Sequence, residues 1–308
     1  SVNSGIASID GMNAWHDQRD GPWMEAAPPA NMNFVRNWLL RQKQLVEDYR
    51  PDIIYLDHYG LPFGEFGLEA AAHYYNKAVE WHGATDVVMT VGKPSAFERR
   101  ALVGNVERGF VDGIDPRPWQ TARCIGQWHY SRPVYEDGAY KSAKQVVQRL
   151  ADVVSKNGNL LLSIPLRADG TIDEQEAAIV DDIAAWTTLN GEAIFGTRPW
   201  RVFGEGPTRP PTGDKVEDQA TAFTAADIRY TQKDGALYAI FLDQPARIAR
   251  LRSLGTAALP NAVIERVDLL GGPEVRFSRE VAHLQLELPD LPSGSFVPAI
   301  RIRGRGHV

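Results

Sequence analysis

The sequence predicts an α/β domain followed by an antiparallel β-sandwich, with the boundary near Trp200. Before Trp200, amphipathic helical patterns alternate with short apolar runs, as in α/β folds built on parallel strands. After Trp200, helical periodicity disappears, and stretches such as residues 283–288 alternate strictly between polar and apolar side chains. We therefore expect residues 1–200 to form the first domain and residues 201–308 the sandwich.

Composition excludes several classes of protein. The chain has 308 residues, of which 44% are hydrophobic and 23% charged, as is ordinary for a globular protein with a substantial core. The net charge of −6 and the lack of a basic patch argue against a nucleic-acid partner. No apolar run is long enough to predict a membrane span, and no signal peptide is evident. The single cysteine, Cys124, excludes an internal disulfide.

The first helix is expected to begin at Asn31 or Asn33 and to stop before Pro51. Its apolar face is predicted to hold four large side chains, Phe34, Trp38, Leu45 and Tyr49. A strand follows at residues 53–56 and is expected to be buried on both faces, as parallel strands are. Residues 1–29 are polar and without period, which indicates an extended loop.

The same alternation continues to Trp200. Helices are predicted at residues 69–81 and 142–155, and strands at 87–91 and 159–164, with a weaker strand that ends at Glu107. Thr171 and Glu174 have the spacing of a capping box for a last helix, which ends at Asn190 and Gly191.

The sandwich region is divided by turn signals. Lys233, Asp234 and Gly235 predict a hairpin. Strand patterns cover residues 222–231, 237–242, 262–270, 281–288 and 297–303.

Alternating helices and strands fit either a doubly wound sheet or a (β/α)8-type barrel. No GxGxxG motif follows a strand and no GxxxxGK[ST] motif occurs, so nucleotide-binding folds lose support. There is no HExxH, and the histidines lack ligand spacing, so neither a metal nor a cofactor is expected. The absence of GxSxG makes a serine hydrolase a weak interpretation.

Two carboxylates lie at expected strand ends, where α/β proteins build their sites. Asp57 follows the strand at 53–56, and Glu107 ends the weaker strand. Paired carboxylates are typical of glycoside hydrolysis, and the aromatic stretch at 119–130 reads as an active-site loop that could stack on a sugar. The alternatives are that Asp57 caps a turn and that Glu107 forms an ion pair with Arg108 or a neighbouring basic residue.

The segment 51–57, Pro-Asp-Ile-Ile-Tyr-Leu-Asp, resembles the nucleophile segment of the α-L-fucosidases of glycoside hydrolase family 29. Five further segments resemble that family in the same order: residues 106–109, 118–121 with 125–130, 155–162, 190–200 and 223–230. The resemblance covers about residues 10–308. It implies a (β/α)8-type (TIM-like) barrel, incomplete in this chain, followed by a C-terminal antiparallel β-sandwich.

The resemblance also implies roles. Asp57 would be the nucleophile and Glu107 the general acid/base of a retaining exo-α-L-fucosidase, whose two carboxyl groups lie about 5–5.5 Å apart. The substrate would be a fucosylated oligosaccharide or glycoconjugate. The candidates for substrate binding are Tyr55, His58, Trp128, His129 and Trp119, the last of these expected to support the pocket from behind.

One departure from the family remains. Its members begin with further barrel strands that bear a His-His-Asp-Gly motif, which this chain lacks. The resemblance therefore implies a fragment, or a barrel completed by an N-terminal segment from another polypeptide or by a homo-oligomer. The alternatives are a catalytically incompetent carbohydrate-binding or assembly remnant, and another retaining glycosidase on the same fold. Relatives of this kind are commonly exported, which favours a periplasmic or secreted location.

Overall fold

The computed structural model describes residues 32–219, 222–291 and 295–306. The chain divides into two compact units, one up to Asn105 and one from Val106. The loop predicted at residues 1–29 lies outside the described residues. The domain boundary predicted near Trp200 follows from a change of sequence pattern and stays a prediction. No described helix is long and apolar enough to cross a membrane.

The first unit is built on three parallel strands. Its elements are α1 (Met32–Tyr49), β1 (Ile53–Tyr59), α2 (Glu65–His82), β2 (Val88–Gly92) and β3 (Val103–Asn105). β2 lies between β1 and β3 and is parallel to both. The buried residues Tyr74 and Ala78 of α2 belong to the same core as Ile54 of β1 and Met89 of β2. This packing explains why a helix connects the two parallel strands.

Two expectations about burial in this unit are wrong. The buried face of α1 carries Val35, Trp38, Leu39 and Val46, whereas Leu45 and Tyr49 are exposed. The buried positions follow the helical spacing of Val35, Trp38, Leu39 and Val46, and Leu45 and Tyr49 lie off that face. β1 is buried on one face only, and its residues alternate, with Ile54 and Leu56 buried and Ile53 63% exposed.

The second unit begins with two parallel strands and their helices. Its elements are β4 (Trp119–Cys124), α3 (Arg132–Glu136), α4 (Ala143–Ser155), β5 (Gly158–Ser163) and α5 (Glu174–Asn190). β4 pairs with β5 along its whole length. Residues 119–124, predicted to lie in a loop, therefore form a strand. The sequence does not indicate this strand, because its polar residues interrupt the apolar run expected of a buried strand. Thr121 and Arg123 are both buried nevertheless.

The two main helices of this part have defined caps. Ser142 and Gln145 form a capping box at the start of α4. α5 is capped by Asp173, which accepts hydrogen bonds from the amides of Gln175 and Glu176. The prediction of a capping box with Thr171 is wrong, since the Thr171 hydroxyl donates a hydrogen bond to Asp169 instead.

The rest of the second unit is an antiparallel sandwich. Its strands are β6 (Arg198–Glu205), β7 (Ile228–Lys233), β8 (Ala236–Phe241), β9 (Ile248–Leu251), β10 (Val263–Leu269), β11 (Arg276–Arg279), β12 (Leu284–Glu287) and β13 (Ala299–Arg305). One sheet has the order β10-β13-β8-β7-β6, the other β11-β12-β9. The hairpin at Asp234 and Gly235 is confirmed, with φ angles of 50° and 74° that suit a type I′ turn.

The sequence patterns do not predict three strands of the sandwich, β6, β9 and β11. β6 contains Pro199 and Gly204, which weaken a strand signal. β9 and β11 have four residues each, too few for a clear alternation.

Candidate active site

Asp57 lies on β1 at an irregularity of the strand. Leu56 pairs with Val91 and Tyr59 pairs with Gly92, so Asp57 and His58 bulge out between these two pairs. β-Bulges re-aim side chains and are over-represented beside active sites. Asp57 is exposed, and among the described residues no hydrogen bond or ion pair engages its carboxylate. A role as a turn cap, the alternative considered from sequence, therefore has no support in the described residues.

Aromatic and basic side chains surround this bulge. Tyr55, two residues before Asp57, lies on the same exposed face of β1. His58 is half-buried, with Nδ1 3.4 Å from the carbonyl oxygen of Gly60. The ammonium group of Lys93, which follows β2, lies 4.6 Å from the centroid of the Tyr59 ring. The bulge is therefore an exposed rim with aromatic, cationic and anionic groups.

Glu98 holds this rim in shape, and sequence reasoning missed it. Its Oε1 accepts a hydrogen bond of 2.7 Å from the Leu61 amide, and its Oε2 one of 2.7 Å from the Ser95 amide. Burial alone would raise the pKa of Glu98, but these hydrogen bonds and the charge of His58 outweigh it, so the pKa is lowered. Gly60 has φ 69°, and a Cβ there would lie 2.9 Å from the Glu98 carboxylate.

Glu107 belongs to the second unit and lies in a turn, not at a strand end, because β3 ends at Asn105. The structure contains the ion pair considered as an alternative, but with a distant residue. Glu107 Oε2 lies 3.4 Å from Lys215 Nζ, and the Glu107 side chain is 28% exposed. Arg108 pairs with Glu217 instead, at 3.5 Å. Glu107 is thus paired yet reachable from solvent.

Trp128 and His129 lie together in the loop after β4, and both are exposed. The base of the loop is anchored by the Lys141 amide, which donates to Ile125 O at 2.9 Å. Tyr140 packs against Gly126, where a Cβ would meet its ring at 2.9 Å, and its hydroxyl donates to Asp173 at 2.6 Å. Burial and the hydrogen bond to Asp173 raise the pKa of Tyr140, so the phenol keeps its proton.

Trp119 has a different environment from these two residues. Its side chain is 2% exposed, and its indole nitrogen donates a 2.9 Å hydrogen bond to Lys156 O. A Cβ at Gly158, its partner on β5, would lie 2.5 Å from the ring. In this chain Trp119 is enclosed by β5 and the end of α4 and supports them.

The family follows from comparison with known proteins. The family model described as alpha-L-fucosidase matches residues 10–192, more than half of the chain. The chain belongs to the α-L-fucosidase family. This confirms the resemblance on which the roles of Asp57 and Glu107 depend. The roles themselves stay predictions.

Individual α-L-fucosidases agree with the family match. The chain is 28% identical over 215 residues to the plasma alpha-L-fucosidase of Rattus norvegicus. The match covers 66% of this chain and 41% of that protein. It is 29% identical over 270 residues to the tissue alpha-L-fucosidase of Macaca fascicularis. That match covers 83% of this chain and 51% of that protein. The chain spans about half the length of the curated relatives it matches.

The alpha-fucosidase of Thermotoga maritima is similar in structure, with a TM-score of 0.67 at 24% identity, and the match covers 89% of this chain and 57% of that one. At this identity the likeness establishes the fold. The predicted fold class, an incomplete (β/α)8-type barrel followed by an antiparallel β-sandwich, is confirmed.

Proposed function

We propose that this chain carries the reacting carboxylates of a retaining exo-α-L-fucosidase that removes terminal α-L-fucose from glycans. The observation that carries the proposal is Asp57, an exposed carboxylate on a bulge near the carboxyl end of β1, within the part of the chain that matches the family. A carboxylate in that position, without a hydrogen-bonding or ionic partner among the described residues, is available to a substrate.

The chemistry would proceed in two steps. Asp57 would attack the anomeric carbon and form a covalent fucosyl-enzyme, while Glu107 protonates the leaving glycosidic oxygen. Glu107 would then take a proton from water, which displaces Asp57 and releases fucose with its anomeric configuration retained. Tyr55, His58, Trp128 and His129 would contact the sugar. Trp119 would act from behind, in keeping with its burial.

The test is hydrolysis of 4-nitrophenyl α-L-fucoside by the 308-residue chain, with mass spectrometry of the peptide that carries Asp57. We expect turnover and, with a slow fluorinated fucosyl donor, a covalent adduct on that peptide. Asp57→Gly should lose at least about 10³-fold in kcat, since removal of a nucleophile abolishes the covalent step. Asp52→Asn removes another exposed carboxylate of the same segment and should leave kcat within about twofold.

The outcomes separate the candidate functions. Near-normal activity of Asp57→Gly would overturn the assignment of the nucleophile. A chain that is inactive alone but becomes active when an N-terminal barrel segment is supplied would retain the proposal. Fucose binding without hydrolysis under both conditions would favour the non-catalytic remnant.

A further inference from the structure

A segment from beyond Trp200 is fastened to the turn that carries Glu107. Residues 213–217 lie against residues 107–110, with an antiparallel bridge between Gly213 and Phe110. The Phe110 amide donates to Gly213 O at 3.1 Å, and the Gly213 amide donates back to Phe110 O at 2.8 Å. Further along, the Lys215 amide donates to Glu107 O at 2.8 Å and the Glu217 amide to Arg108 O at 3.1 Å. Four backbone hydrogen bonds thus hold the Glu107 turn against this segment.

The contact between the two backbones is close and well fixed. A Cβ at Gly109 would clash with the carbonyl oxygen of Gly213, so only glycine allows this approach. Below the turn, Arg123 and Glu217 are both largely buried and form an ion pair at 2.5 Å, and Arg123 also donates to Gly109 O. A buried ion pair whose arginine also donates a hydrogen bond to the backbone of the turn holds its elements in one geometry. The segment is therefore a rigid support for the turn.

Lys215 contacts Glu107 through both its backbone and its side chain. In addition to the amide hydrogen bond, Lys215 Nζ lies 3.4 Å from Glu107 Oε2. Lys215 has φ 56° and Arg108 has φ 44°, a left-handed conformation that non-glycine residues rarely adopt. Strained backbone of this kind clusters at functional sites, where the surrounding structure maintains it. Here both strained residues flank the Glu107 carboxylate.

We propose that Lys215 is a positioning residue for Glu107, which it holds at the orientation needed to protonate the leaving oxygen. This inference rests on the proposed role of Glu107 as the general acid/base. A general acid works only within hydrogen-bond reach of the atom that it protonates, so an untethered carboxylate would lose most of its effect. The segment 213–217 thereby contributes to catalysis without touching the substrate.

The test compares Lys215→Met, which removes the ammonium group, with Lys215→Arg, which keeps a cation at a similar reach. With phenyl α-L-fucoside, whose poor leaving group needs a proton, Lys215→Met should lose about 10- to 100-fold in kcat/KM. With 2,4-dinitrophenyl α-L-fucoside, whose leaving group departs without protonation, the loss should stay below about threefold. Lys215→Arg should recover to within about fivefold of the wild type on both substrates.

Lys77→Met is the matched control, because Lys77 also forms an ion pair with a glutamate, Glu80, at 2.8 Å on the exposed surface of α2. This variant should hydrolyse both substrates like the wild type. An equal loss on the two leaving groups would mean a merely structural role for Lys215 and would overturn the proposal. Unchanged activity of Lys215→Met on the phenyl fucoside would overturn it as well.

Crystal structures of the two Lys215 variants give a readout that needs no turnover. Glu107 should leave its position in Lys215→Met and keep it in Lys215→Arg, and an unmoved Glu107 in Lys215→Met would overturn the proposal. Failure of the proposed function would give a different result. The wild-type chain would then show neither turnover nor a covalent adduct, even when the N-terminal segment is supplied.

Discussion

Trp119 and Trp128 lie nine positions apart in one aromatic stretch, yet they occupy opposite environments. Trp119 is enclosed between β5 and α4, whereas Trp128 is 37% exposed in the loop after β4. The stretch has no clean period, so its sequence does not distinguish a supporting ring from one that contacts a sugar. Burial does, because an enclosed ring has no face left for a ligand.

The two tryptophans should respond differently to truncation. Trp119→Ala would leave a cavity and remove the hydrogen bond to Lys156 O, and should lower the free energy of unfolding by about 3–5 kcal/mol. Trp128→Ala should change it by less than about 0.5 kcal/mol, while weakening the affinity for fucose. Urea denaturation and fucose titration measure the two effects. A stability loss at Trp128 as large as that at Trp119 would contradict this division.

The first turn of α5 contains a buried carboxylate. Glu176 is fully buried, and within the described part of the chain neither of its carboxylate oxygens has a hydrogen-bond partner. Burial, with a smaller contribution from the negative charge of Asp173, raises the pKa of Glu176 to about 7. Glu176 is therefore protonated in the folded chain at pH values where it ionises in the unfolded chain.

This raised pKa predicts a loss of stability as pH rises. The folded state binds the proton of Glu176 more tightly than the unfolded state, so its stability falls between about pH 4.5 and 7. Glu176→Gln removes this titration. The free energy of unfolding of the variant, measured relative to the wild type, should therefore be roughly 1–3 kcal/mol higher at pH 8 than at pH 4. Urea denaturation at the two pH values tests this. Asp182→Asn, at an exposed position of the same helix, should show no such difference.

The second unit joins α-helices and sandwich strands in one core. Val147 of α4 and Trp186 of α5 share a cluster of buried residues with Tyr238 and Ile240 of β8. Asp152 of α4, fully buried, is paired with Arg229 of β7 at 2.7 Å. Helices that precede Trp200 and strands that follow it therefore share buried contacts in this unit.

A chain cut at Trp200 should not fold normally. It would expose the apolar faces of α4 and α5 and remove Arg229, one of two cationic partners of the buried Asp152 carboxylate, the other being Lys156 at the end of the same helix. We expect residues 1–200 alone to lose near-ultraviolet circular dichroism and to be digested rapidly by protease, in contrast to the full chain. Cooperative unfolding of the shortened chain would show instead that the two predicted domains are independent.

Much of this protein was determined by sequence alone, namely the change from alternating helices and strands to an antiparallel sandwich, the sandwich hairpin, the family and the segments that carry Asp57 and Glu107. These features depend on side-chain periodicity and on local turn chemistry, which neighbouring residues specify. Only the tertiary structure decided the bulge at Asp57, the burial of Trp119 and the pairing of Glu107 with Lys215. Lys215 lies 108 positions from Glu107 in the chain, and no local pattern encodes contact over such a separation. Chain folding brings such residues together, and the free energy of burial and backbone pairing keeps them there.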